Sequence, residues 1–258
     1  MVEIEYLDSP HSTEELLEIL CPPVRNWFKD SFSDFTRPQK LAIPAILDRK
    51  NLLLCSPTGS GKTLTAFLTI IDKLVRLALD NKLEKKVHCV YISPIKALAN
   101  DIQRNLIGPL TEISESYLPD KTQEIKVGLR TGDTSQSDRQ KMLRNPPHIL
   151  ITTPESLAIA ITSPRFQPIV SELEYMIVDE LHSLVPTKRG VHLALTLSYL
   201  DTLLKTPVQR IGISATMEPL EKVAEYLVAS DDQESRNSAS SVSIAKVSGS
   251  RELDLDIL

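Results

Sequence analysis

From Leu52 onward, short apolar runs alternate with longer stretches in which apolar positions recur every three to four residues. The short runs predict strands over 52–55, 87–92, 125–129, 148–152, 174–179 and 208–214, with helices between them. Several of these runs, such as Ile149-Leu150-Ile151 and Met176-Ile177-Val178, are apolar on both faces, which suits strands covered on both sides by helices. The pattern predicts an α/β fold with a mostly parallel, doubly wound sheet. Upstream, residues 12–50 read as helical and precede any strand signal: Ser12-Thr13-Glu14-Glu15 resembles a helix start, Pro22-Pro23 opens a second helix and Pro38 a third. Residues 231–241 (DDQESRNSASS) have no periodicity and read as a loop, after which 242–247 alternates like a strand with no partner in view.

Composition narrows the setting. At 258 residues and 41% hydrophobic content, the chain can bury a sizeable core as one large α/β domain or two small ones. No apolar run approaches the roughly 18 residues that span a bilayer, and the opening MVEIEY is acidic rather than a basic targeting head. A cytoplasmic protein with no membrane partner is expected. Cys21, Cys55 and Cys89 are odd in number and lie at no zinc-ligand spacing, so they read as reduced structural thiols. A net charge of -5 argues against holding nucleic acid by a global positive field and leaves local basic sites as the alternative.

In a doubly wound sheet, ligands gather at the carboxyl ends of the strands. CSPTGSGKT, residues 55–63, follows the first predicted strand of this sheet and opens a helix. Gly59, Gly61, Lys62 and Thr63 match a phosphate loop, with Ser56 where the first glycine would stand. The glycines let the backbone N–H groups of Thr58-Gly59-Ser60-Gly61 turn toward phosphate oxygens. Lys62 would reach the β and γ phosphates, and the Thr63 hydroxyl would hold Mg2+. A second strand ends in Asp179 and Glu180, the first suited to magnesium and the second to orienting and deprotonating a water. His182 either couples nucleotide to a neighbouring domain or is a polar residue opening a helix.

These segments resemble superfamily two helicases: SPTGSGKT, VDELH and ISAT (213–216) look like motifs I, II and III. YISPIKALANDI (91–102), RTGDTS (130–135), PPHILITTPESL (146–157), KRGVHLALTLSYL (188–200) and RIGISATMEPLEKVAEYL (210–227) extend the resemblance, in order, to the large helicase-related (Lhr) group. The resemblance implies a RecA-like P-loop NTPase domain over 51–230, preceded by a helical segment over 1–50. Residues 231–258 would lead toward a second RecA-like domain. It implies ATP and magnesium as ligands, with Phe35 and Gln39 recognising adenine. Ser214 and Thr216 would link hydrolysis to strand movement through hydrogen bonds to the acids. Pro94, Lys96, Arg130, Thr131, Gly132, Thr153, Pro154, Glu155 and Ser156 would meet the backbone of a single-stranded or partly duplex nucleic acid, DNA being favoured. Lys188 and Arg189 are either a second basic site or a solvated helix start.

The implied function is an ATP-dependent helicase. The alternatives are a duplex translocase of the same superfamily and an ATP-switched clamp without turnover. The arginines that complete such sites have no counterpart after Thr216, so the chain alone is expected to bind nucleotide with little hydrolysis.

Overall fold

The computed structural model describes residues 2–94, 99–228 and 241–247. Among these, eight strands form one sheet: β1 (Glu3–Tyr6), β2 (Asn51–Cys55), β3 (Cys89–Ile92), β4 (Val127–Arg130), β5 (Ile149–Thr152), β6 (Tyr175–Val178), β7 (Gln209–Ser214) and β8 (Ser241–Lys246). All neighbours are parallel, in the order β1-β8-β2-β7-β6-β3-β5-β4.

The six predicted strands are β2 to β7. Two findings correct the reading of the chain's ends. Glu3–Tyr6 is a strand although its sequence, EIEY, gave no strand signal; it lies at the sheet edge, and its burial is slight. The strand expected to lack a partner has two, because β8 lies between β1 and β2, with Ile4 opposite Val242 and Asn51 opposite the same residue. The first fifty residues are therefore not purely helical, and the strand near the chain's end belongs to this sheet.

Successive strand side chains point to opposite faces, and this divides the core in two. Leu52, Leu54, Cys89, Tyr91, Tyr175 and Ile177 enter one layer, while Leu53, Cys55, Val90, Ile92, Met176 and Val178 enter the other. Each fully buried leucine contributes about 1.5–3 kcal/mol relative to exposure. The first layer is covered by α2 (Pro22–Ser31), α3 (Arg37–Leu47) and the long α4 (Lys62–Leu79), with α1 (Thr13–Ile19) alongside; α1 is closed by a capping box between Ser12 and Glu15. Buried Asp72 on α4 fastens these helices together: it accepts the Cys21 N–H at 2.6 Å and Arg76 Nε at 2.7 Å, while Arg76 Nη2 donates to the Ile19 carbonyl at 2.6 Å.

After β3 the chain runs from α5 (Ala99–Ile102) through a π-helical turn at Gln103–Ile107 into α6 (Gly108–Tyr117), and α7 (Gln136–Arg144) follows β4. The opposite layer is built from α8 (Pro154–Ile161), α9 (Gln167–Val170), α10 (Leu181–Leu184), α11 (Lys188–Leu203) and α12 (Leu220–Val228). Cys21, Cys55 and Cys89 are buried and free. No described helix is long and apolar enough to cross a membrane.

Candidate nucleotide and strand site

Strand order sorts the sequence-derived residues into two neighbouring groups. β2, β7 and β6 are adjacent and carry the phosphate loop, the ISAT segment and the Asp179-Glu180 pair at their carboxyl ends; β3, β5 and β4 are adjacent and carry the remaining post-strand segments.

Gly59 and Gly61 adopt left-handed φ values of 78° and 86°, and Gly61 opens α4. A side chain at either position would be strained, and a Cβ at Gly61 would also stand 3.4 Å from Gln39 Nε2 and 3.5 Å from Thr36 Oγ1. Ser56, in the first-glycine position, shares a 2.6 Å hydrogen bond with Ser60 across the loop. Lys62 curls over the same loop and donates to the carbonyls of Ser56 at 2.6 Å and Pro57 at 2.7 Å. Burial lowers its pKa, and the nearby charges of Asp179 and Glu180 oppose that shift. The Thr63 hydroxyl makes no hydrogen bond among the described residues, while Thr58 is exposed at the loop tip.

Gln39 lies beside this loop, buried, with its Oε1 already accepting the Thr36 N–H at 2.8 Å. Its Nε2 makes no hydrogen bond among the described residues and is left to serve a ligand, so the amide is partly committed. Phe35 is also buried, and one face of its ring stacks on Phe28 with centroids 3.8 Å apart.

Asp179 is 3% exposed. Its carboxylate accepts the Tyr91 hydroxyl and, at 2.7 Å, the Glu180 N–H. Burial pushes its pKa up to about 6; the Tyr91 and backbone hydrogen bonds oppose the rise, and the charges of Glu180 and Asp101 add to it. A buried carboxyl facing further acids, together with an uncommitted threonine hydroxyl in the loop, fits a divalent cation. Among the described residues no cluster of three acidic, histidine or cysteine side chains could hold a metal alone, so Thr63 and Asp179 would need phosphate oxygens and water to complete its shell.

Glu180 has a left-handed backbone, φ 55°, which costs a side-chain-bearing residue roughly 1 kcal/mol or more. The His182 Nδ1 accepts the Ala215 N–H at 3.2 Å, and its Nε2 stands 3.1 Å from Glu180 Oε2. The acids meet the ISAT segment through His182 and the Ala215 amide rather than through a hydroxyl. The expectation for Ser214 and Thr216 is corrected: the Ser214 hydroxyl donates to Met217 Sδ at 3.2 Å, and Thr216 is exposed.

On the other half of the sheet edge, Thr153 caps α8 by accepting the Ser156 N–H, and Pro154 occupies the first turn. Thr131 and Gly132 form a turn braced by Arg139, whose Nη2 donates to both carbonyls at 3.3 and 3.0 Å. Arg130 is buried with its guanidinium 5.0 Å above the Phe166 ring, and burial lowers its pKa. Glu155 is bound by Arg189 at 2.7 and 3.2 Å, and Arg189 also donates to the Pro94 carbonyl at 3.1 Å. Lys188 and Arg189 are both exposed at the start of α11, and Arg189 spends its guanidinium on Glu155 and the Pro94 carbonyl rather than standing as a free basic site. Lys96, and the helix expected to open after Pro94, lie outside the described residues. Sequence reasoning missed Tyr91, Arg139 and the Ala215 amide. Tyr91 had one signal, a hydroxyl in an otherwise apolar strand; a backbone amide has none.

The sequence matches the DEAD/DEAH box helicases over residues 36–224. The chain belongs to the DEAD/DEAH box helicase family. Within it, an ATP-dependent helicase Lhr-Core from Methanocaldococcus jannaschii is 51% identical over 230 residues, covering 88% of this chain and 27% of the relative. The Lhr helicase/uracil glycosylase of Escherichia coli is 43% identical over 85% of this chain and 15% of its own. Among solved structures, Mycobacterium smegmatis helicase Lhr bound to ssDNA and AMP-PNP superposes with a TM-score of 0.77 at 41% identity, over 90% of this chain and 28% of that one. The chain spans less than a third of the length of each of these relatives. The expected RecA-like fold is the fold observed.

Proposed function

We propose that this chain is the first motor domain of a cytoplasmic ATP-dependent helicase of the Lhr kind, binding magnesium-ATP at one half of its sheet edge and a nucleic-acid strand at the other. The observation that carries the reading is the convergence of three adjacent strand ends: the Lys62 loop on β2, the acids after β6, and the Ala215 amide that holds His182 against Glu180. In this arrangement the backbone of Thr58 to Gly61 and the Lys62 ammonium hold phosphates, and Thr63 and Asp179 hold magnesium. Glu180 takes the proton of the attacking water, kept in place by His182. Gln39 Nε2, next to Gly61, is the donor available to an adenine edge.

The strand would run past Thr153, Pro154 and Ser156 at the N-terminus of α8 and past the Thr131-Gly132 turn, held by backbone groups and therefore without sequence preference. DNA as the strand is supported by the single-stranded DNA in the Mycobacterium Lhr structure. The three buried thiols support a reducing compartment. A second RecA-like domain is supported by the short share of its relatives that this chain covers. The arginine such a domain supplies is worth roughly 10³–10⁵ in rate, about 4–7 kcal/mol of transition-state stabilisation.

The test is magnesium-ATP binding and single-turnover hydrolysis by this chain, with and without single-stranded DNA, using Lys62→Ala as control. Nucleotide should bind, weaken by more than about tenfold in Lys62→Ala, and be hydrolysed slowly. Binding indifferent to Lys62 would sink the nucleotide site. Rapid strand-stimulated turnover by this chain alone would refute the need for a second domain.

A further inference from the structure

An acidic side chain stands where the strand reading wants a phosphate. Glu155 occupies the first turn of α8, whose positive dipole end favours an anion, yet its own charge opposes one. Both of its oxygens are engaged by Arg189, through Nε at 2.7 Å and Nη2 at 3.2 Å, and the same Nη2 holds the Pro94 carbonyl at 3.1 Å. One guanidinium thereby joins the ends of β3 and β5 across the face where the strand would lie. Arg189 comes from α11, and it lowers the Glu155 pKa, so the pair remains ionised and locally neutral at ordinary pH.

The pair contributes little to stability. The two side chains are 47% and 50% exposed, and such ion pairs are worth about 0–1 kcal/mol. Its effect must therefore be sought in the field and shape of the surface. Arg189 can exert that effect because its backbone is fixed. Thr187 caps the next residue, Gly190, at 3.3 Å, and a Cβ on Gly190 would stand 2.2 Å from the Leu184 carbonyl oxygen. The Tyr226 hydroxyl holds the Gly190 carbonyl at 2.7 Å.

We propose that Arg189 is a positioning residue for strand binding: it masks the charge of Glu155 at the N-terminus of α8 and sets the Pro94 carbonyl, without contacting the strand itself. The inference rests on the strand-binding face proposed above, and the two can fail separately.

The experiment is a double-mutant cycle on this chain, Arg189→Ala, Glu155→Gln and both together, read as the affinity for a fluorescein-labelled oligothymidylate over a salt series. Arg189→Ala should weaken binding about three- to fivefold, the factor expected of one half-exposed charge. Glu155→Gln should strengthen binding by up to about the same factor, because it leaves the Arg189 charge unmasked, and the double variant should recover most of the loss, because no charge is left to unmask. The slope of log affinity against log salt should stay constant throughout, since a residue that touches no phosphate releases no counterion. Arg189→Lys should rescue only partly, because an ammonium lacks the fork that grips both oxygens. A loss that the double variant does not recover, with a slope smaller by about one, would make Arg189 a direct phosphate contact and overturn the proposal. Failure of the unmodified chain to bind the oligonucleotide would instead refute the strand-binding face. Unchanged melting temperatures across the five proteins keep either result separate from loss of fold.

Discussion

Replacing Asp179 by Asn should make the ligand-free chain more stable while removing its magnesium-dependent nucleotide binding. The native carboxyl is buried, and its pKa stands at about 6 against 3.8 for an ordinary aspartate. The folded chain therefore holds this proton more tightly than the unfolded chain does. Stability from this group is full below about pH 4 and is lost as pH rises through about 6. At 1.36 kcal/mol per pH unit, the loss amounts to about 3 kcal/mol at neutral pH.

Asparagine carries no charge to desolvate, and its amide can keep both neighbours. Oδ1 can accept the Glu180 N–H, and the Tyr91 hydroxyl can turn to accept from Nδ2. Urea unfolding followed by far-UV circular dichroism, in EDTA at about pH 4.5 and 7.5, would measure the effect. The variant's advantage should grow by about 2 kcal/mol between those two values. With magnesium-ATP at roughly a hundred times its dissociation constant, the native chain should gain about 2.7 kcal/mol and the variant far less. An advantage that does not depend on pH, or a variant less stable throughout, would refute the claim that Asp179 is held against the cost of burial.

Two further outcomes follow from neighbouring groups. Tyr91→Phe removes a hydrogen bond that favours the charged form of Asp179, so the acid limb of magnesium-ATP binding should move to higher pH, by up to about one unit, in a binding titration across pH. Gly190→Ala drives a methyl group against the Leu184 carbonyl and should destabilise the chain by about 2–4 kcal/mol, seen as a lower melting temperature without a selective loss of nucleotide affinity.

The parts legible in the sequence were those that periodicity or a local motif can carry. The six central strands are short apolar runs, and the phosphate loop and the Asp179-Glu180 pair are contiguous words at strand ends. β1 escaped because an edge strand pairs on one side only and can be built from EIEY, with charges outward. β8 was visible as alternation, but its two partners lie 238 and 191 residues away, counting from Glu3 and Asn51 to Ser241 and Val242, and periodicity does not report pairing at that range. The same limit hid the site's connections. Glu155 and Arg189 are 34 residues apart, and Tyr91 and Asp179 are 88 apart. His182 meets a backbone amide, which every residue but proline possesses, and Ser214 spends its hydroxyl on a methionine three residues away. Side-chain type alone could not have distinguished these partners from the hydroxyl contacts expected.

The placement of β8 also bears on how the chain is made. β1 is the first strand to be synthesised, yet the neighbour that joins it to the rest of the sheet is the last of the eight. At roughly 5–20 residues per second, the ribosome needs about 10–50 s to travel from one to the other. From the moment β2 is made until β8 follows, β2 has an open edge, β1 has no strand to pair with, and the apolar residues Val242, Ile244 and Ala245 that will fill the gap have yet to emerge. Closure of this sheet therefore waits for β8, and until then the open edge is β2, the strand that carries the phosphate loop.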